Sequence, residues 1–250
     1  MNSFKQLFLA NLKILYRNRG GVFWTILMPA FIYIALSVLP IGKSVNPTSA
    51  DKYSNFVLPG IIAMTIMQGG IYGLAYWLVD LKARGVIKRL LVTPIKIWQL
   101  ILALIAARSV VIFVQTIVLT LLGVFGFHAI FVGNILSVII LVLLGGGIFL
   151  LMGLFISNLA NSYEAAAPIT TAIGLPLTFL GNIFYPIDVL PKTLKIIAEI
   201  LPITYLADGL RQAYLFAFDL HKIGKDIFIL SIWLIVMLVL TISVFRLKED

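Results

Sequence analysis

Apolar runs close to twenty residues long recur along this chain, at 22–40, 56–78, 98–125, 135–157, 165–185 and 227–245. A bilayer core roughly 30 Å thick is crossed by about twenty residues of α-helix. Inside it each backbone N–H and C=O must be satisfied within the segment itself, which for runs of this length and pattern leaves the helix. The expected fold is therefore an all-α integral membrane protein with six transmembrane helices. A hydrophobic content of 61% with 12% charged residues and a mean hydropathy of +1.09 exclude an ordinary soluble domain. The chain has no cysteine, which excludes disulfides, thiolate metal sites and a cysteine nucleophile.

Taken alone, the net charge of +9 fits nucleic-acid binding, but its placement between the runs fits membrane topology, and no nucleic-acid partner is expected. With the N-terminus inside, eleven cations fall on inner segments, from Lys5 to Lys96 and then Arg246 and Lys248. Seven fall on outer ones, mostly in the longest loop, where the positive-inside rule counts least. Both termini are expected to be cytoplasmic. Residues 1–21 carry Phe4, Leu7, Phe8, Leu12 and Leu15 on one helical face and Gln6, Lys13 and Arg17 on another, as an amphipathic helix in the interface plane would.

Several patterns that suggest chemistry dissolve on inspection. The "GKS" at 42–44 has Ser37 where a phosphate loop needs its first glycine, and no strand precedes it. His128 and His221 are solitary, so neither a metal site nor hydrolytic catalysis is expected. No acidic residue lies in the middle of a run, which argues against a proton-relay carrier. Arg108 is the one cation within a run. Either it snorkels to the inner interface, or it serves a pathway or contact, with Glu164 as a candidate partner. Gly69, Gly70 and Gly73, with 145–147, would let helices approach closely, within the chain or between subunits. Pro168 and Pro176 predict a kinked or broken fifth helix.

Two loops carry more order than charge alone requires. Residues 80–94, "DLKARGVIKRLLVTP", predict a short cytoplasmic helix with Leu81, Ile87, Leu90 and Leu91 inward and Lys82, Arg84, Lys88 and Arg89 outward. Residues 186–211, "PIDVLPKTLKIIAEILPITYLADGLR", are too apolar for a solvated loop and too rich in proline for one span. They predict two short re-entrant or interfacial helices capping the outer end, with Asp188, Lys192, Glu199, Asp208 and Arg211 near water or one another.

Together these features resemble the membrane permease subunits of type-2 ATP-binding cassette (ABC) exporters. The family's inner loop has an acidic and basic cluster, a Gly-Thr pair and a basic-apolar run closing in Thr-Pro. Here Gly85, Lys88, Arg89, Leu90, Leu91, Thr93 and Pro94 match, while Val86 stands in place of the threonine and Asp80 is the only acid. The outer segment is similar to the family's aromatic-Pro, Leu-Pro, Pro-x-Thr-Tyr and x-Leu-Arg signature.

The resemblance implies a single transmembrane domain over 1–250. It implies a partner subunit that binds and hydrolyses Mg-ATP, in two copies, no enzymatic activity or cofactor in this chain, and a second permease subunit, a homodimer being expected. It implies coupling through Asp80, Lys82, Arg84, Gly85, Lys88, Arg89, Thr93 and Pro94, and an outer gate of Pro186, Pro191, Pro202, Tyr205, Asp208 and Arg211. The loop pattern is commoner in drug exporters than in relatives that export lipid-linked glycans, so a multidrug-like exporter in a bacterial or archaeal plasma membrane is expected. A six-span secondary carrier or channel is the alternative from another class; its mid-span acids or inverted repeat are not visible.

Overall fold

The computed structural model describes residues 3–38, 53–91, 96–160, 162–215 and 220–244, which form helices and short connections with no strand among them. Helix α1 (Ser3–Arg17) lays Phe4, Leu7, Phe8, Leu12 and Leu15 inward as its spacing predicts. Asn11 shares that face, buried and donating to the Leu7 carbonyl at 2.8 Å. The helix stops short of residue 21 because Asn18 caps the next one, α2 (Arg19–Val38), by accepting from Gly21 N at 3.1 Å. There follow α3 (Tyr53–Ala83), α4 (Val86–Leu91), α5 (Ile97–Leu121) with a π-helical turn to Gly126, α6 (Ile135–Leu159), α7 (Tyr163–Leu180), α8 (Lys192–Ile200), α9 (Pro202–Leu215) and α10 (Leu220–Val244).

Five helical stretches are long and apolar enough to cross a bilayer: Arg19–Val38, Tyr53–Ala83, Ile97–Gly126, Ile135–Leu159 and Ile223–Val244. They coincide with five of the six expected runs. The remaining run is α7, which carries through Pro168 and Pro176 as one continuous helix, so of the expected kink or break the break does not occur. Each proline removes one N–H, and Thr170 and Thr178 hydroxyls donate to carbonyls a turn back, at Ala166 and Gly174. Its eighteen residues end five positions before the expected residue 185.

α3 and α6 make the centre. Gly70 of α3 and Gly153 of α6 stand where a Cβ would run into the backbone of the facing helix, so the two main chains touch directly. These glycines therefore serve packing within the chain. α5 lies antiparallel to α3, with Gly69 facing Ile112, Gly73 facing Arg108 and Gly123 facing Leu58. α1 packs along α5, and α9 is wedged among α3, α6 and α10. α2 leaves Phe23, Trp24, Phe31 and Val38 exposed, an outer surface suited to lipid.

α10 begins at Leu220, well before the expected residue 227. The extension is stabilised where Asp226, buried on this turn, accepts from Gln212 Nε2 of α9 at 3.1 Å.

Candidate functional site

Helix α3 has 31 residues and rises about 46 Å. One end meets the outer segment, the other carries the predicted coupling loop, and between them one face lines a cleft.

At the inner end the structure corrects the expected helix over 80–94. Asp80 and Lys82 belong to the last turn of α3, which stops at Ala83, and only Val86–Leu91 forms a separate helix. Gly85 makes the break, with φ +64° and no neighbour within 4 Å of where its Cβ would lie. This is the left-handed cap that glycine adopts without strain. Lys82 does not face outward as expected: its Nζ donates to the Ser157 carbonyl at 2.5 Å and to Asn158 Oδ1 at 3.3 Å, closing the C-terminal turn of α6. Arg84 stays outside, 2.8 Å from Asp80 Oδ1 on an exposed surface. Arg89 is exposed, Ile87 is buried in the core and Leu81 is packed against it. Thr93, Pro94, the loop at 42–44, Arg246 and Lys248 lie outside the described residues, as do the side chains of Lys88, Leu90, Leu91, His221 and Lys222.

At the outer end the predicted gate residues separate into two roles. Pro186 precedes a 3-10 turn (Ile187–Val189), Pro191 precedes α8 and Pro202 opens α9, so the prolines set element starts. Tyr205 donates from its hydroxyl to the Glu199 carbonyl at 2.5 Å, and Lys195 pairs with Asp188 at 2.6 Å. Buried Arg211 and half-exposed Asp208 form the centre. Arg211 donates from Nε to the Phe56 carbonyl at 3.0 Å, from Nη1 to Asp208 Oδ1 at 3.1 Å, and from Nη2 to the carbonyls of Asn182 and Ile183. Its guanidinium carbon lies 3.7 Å from the centre of the Phe56 ring. Asn182 Nδ2 also donates to Asp208 Oδ1, at 2.5 Å. One arginine thus fastens α9 to the start of α3 and to the turn after α7. Burial lowers Arg211 to about 10, which leaves it charged at neutral pH. Burial raises the Asp208 carboxyl, against the pull of Arg211.

Asn182, Phe56 and Asp226 were not legible as site residues. Asn182 sits at φ +56°; a Gly-Asn pair near the end of the fifth apolar run is the signal that would have placed a helix end and such a cap there.

Between the two ends lies a cavity of about 600 Å³ lined on α3 by Thr65, Gln68, Tyr72, Tyr76 and Asp80. Thr25, Gln115, Tyr163 and Arg108 face it from the neighbouring helices. Tyr76 shares a hydrogen bond with Thr170 of α7 at 2.7 Å and lies 4.7 Å from the Tyr163 ring. Arg108 stands over Trp77, 5.6 Å from its ring centre. It forms no ion pair with Glu164, which is exposed on the first turn of α7, and no hydrogen bond to Arg108 occurs among the described residues. A second cavity of about 250 Å³, lined mainly by apolar side chains of α1, α2 and α5, reaches Arg108 from the other side. Among the described residues no cluster of His, Asp or Glu could hold a metal ion.

The sequence matches that of the inner membrane transport permease YadH of Escherichia coli K12 at 25% identity over 76% of this chain and 75% of that protein. It is 25% identical to the putative transport permease YvfS of Bacillus subtilis over 100% of this chain and 99% of that protein. It is 24% identical to the probable multidrug ABC transporter permease YbhR of E. coli K12 over 72% of this chain and 48% of that longer protein. The profile of the ABC-2 type transporter family matches residues 2–215. An all-α membrane chain with this match over most of its length belongs to the ABC-2 type transporter family and is a membrane subunit of an ABC transporter.

Proposed function

We propose that the chain is the permease of an ATP-driven exporter that moves an amphiphilic, drug-like or lipid-linked molecule out of the cytoplasm or inner leaflet. Two permease copies enclose the pathway, each docked to a separate subunit that binds and hydrolyses Mg-ATP, with both termini cytoplasmic. Arg84 and Arg89, both exposed, present the cationic docking surface, in a segment whose sequence also carries Lys88, and α4 receives the push. α3 transmits it to the outer end, where the Asp208–Arg211 cluster holds the exit closed. The observation that carries this reading is the continuity of α3, a single helix between the docking corner and the outer cluster. A helix packed along most of its length moves as a rigid element, so displacement at Ala83 reaches Phe56.

The test is replacement of Arg84, Lys88 and Arg89 together by Glu, followed by co-purification with the cognate ATP-binding subunit and assay of ATP-dependent transport in vesicles. The expected result is loss of the complex and of transport, with membrane insertion intact. Unchanged association and transport would remove the docking surface from the proposal.

A further inference from the structure

Arg108 lies about 16 Å along α5 from Ile97, and its partner in register, Gly73, is about 15 Å from the inner end of α3. Both measures put the guanidinium well below the level of the coupling corner. A cation at that depth is costly unless it pairs or faces water. Here it has no acidic partner within 4 Å among the described residues. It is nevertheless accommodated: a Cβ on Gly73 would come 3.1 Å from Arg108 Nη1, so the glycine makes room for it, and Trp77 supplies a flat face beneath it.

The surroundings on its two sides differ. Towards α3 is the large cleft, lined by tyrosines and amides. Gln115 donates to the Thr25 carbonyl at 2.8 Å but leaves its own Oε1 buried without a donor. Towards α1 is the smaller crevice, lined by Leu12, Leu15, Ile26, Val111 and Val114. Arg108, Trp77, Thr25 and Asn18 line both. A larger cleft of mixed polar and apolar lining and a smaller, mostly apolar crevice therefore meet at Arg108, which has no ion-pair partner among the described residues.

We infer that Arg108 is the charge-reading element of a binding site for anionic amphiphiles, with a phosphate, sulfonate or carboxylate on the guanidinium, the polar head in the α3 cleft and the apolar tail between α1, α2 and α5. The fork of an arginine suits an oxyanion, and the apolar walls remove the competition of water. This assignment rests on the exporter reading and narrows its substrate class.

The test uses the full chain in phosphatidylcholine nanodiscs, with dodecyl phosphate, dodecyl glucoside and dodecyltrimethylammonium as probes and native mass spectrometry as the readout. The wild-type protein is expected to bind one dodecyl phosphate per chain at least tenfold more tightly than either other probe, the advantage of charge-assisted hydrogen bonds. Arg108→Gln should abolish that preference, Arg108→Lys should keep part of it, and Arg108→Glu should turn it towards the quaternary ammonium. Filling the crevice with Val111→Trp should weaken dodecyl phosphate and leave butyl phosphate unchanged.

Displacement by phosphatidylglycerol would identify a membrane lipid as the ligand, and its failure a soluble amphiphile; either upholds the site. Equal binding of the three probes by the wild-type protein, or selectivity unchanged in Arg108→Gln, would overturn it. Binding here needs no ATP-binding subunit. Absent selectivity with transport intact would therefore sink this inference alone, while failure of the wild-type chain to associate with any ATP-binding subunit would sink the exporter reading.

Discussion

Arg211 and Phe56, 155 residues apart in sequence, are joined twice: Nε donates to the Phe56 carbonyl at 3.0 Å, and the guanidinium carbon rests 3.7 Å from the centre of the ring. Arg211→Ala would leave the carbonyls of Phe56, Asn182 and Ile183 without their donor and the half-exposed Asp208 without its cation, and should lower stability by about 1–3 kcal/mol. Arg211→Lys should recover only a minor share, because a single ammonium cannot reach α3, α9 and the turn after α7 together. Thermal melts of the purified variants in detergent measure both.

Asn182 holds two requirements in one position, a left-handed backbone and an amide donor to Asp208. Asn182→Gly keeps the first and should be the mildest change. Asn182→Val loses both and should cost about 1–2 kcal/mol for the backbone alone, with the lost hydrogen bond in addition. The expected order of melting temperatures is Asn, Gly, Ala, Val.

The α3–α6 contact separates glycines that need to be glycine from those that do not. A methyl at Gly70 would lie 2.5–2.8 Å from backbone atoms of Phe149 and Leu150, so Gly70→Ala should destabilise by about 1–3 kcal/mol. At Gly146 the nearest atom is Ile112 Cδ1 at 4.0 Å, so Gly146→Ala should be close to neutral in the same melts.

Gly85 has open space around it, so its constraint is the backbone alone. Gly85→Ala should cost about 1 kcal/mol and turn α4 relative to α3. The measurement is stimulated ATPase activity of the assembled transporter, expected to fall in Gly85→Ala and to recover in Gly85→Asn.

Lys82 and Arg89 should part company. Lys82→Met removes the ammonium that closes the end of α6 and should lower the melting temperature while leaving association with the ATP-binding subunit intact. Arg89→Glu should do the reverse. A pull-down and a melt on the same two preparations decide it.

What could be read in advance divides along range. The membrane helices were legible because bilayer thickness imposes a length and an apolar composition that need no partner. The inward face of α1 was legible because five residues share one helical stripe. Asp208 and Arg211 could be suspected as a pair at three residues' spacing. Their contact with Phe56 and Asn182 could not, since it depends on how α9 is seated between α3 and α6. The inward turn of Lys82 is hidden in the sequence for a related reason. Its spacing with Arg84, Lys88 and Arg89 reads as one basic face, yet the end of α6 lies close enough to claim its ammonium. The early start of α10 is hidden in the same way, because Asp226 looks like loop in sequence and is buried against α9 in the fold.

The backbone contact of Gly70 with Gly153 leaves no side chain at that point of the α3–α6 seam that could repack. The two helices therefore act as a chassis, and anything that moves must slide or swing against it. The opposite flank of α3, with Thr65, Gln68, Tyr72 and Tyr76, takes no part in that seam. A change of cargo can be drafted on this flank residue by residue, while the frame that carries the thrust stays as it is.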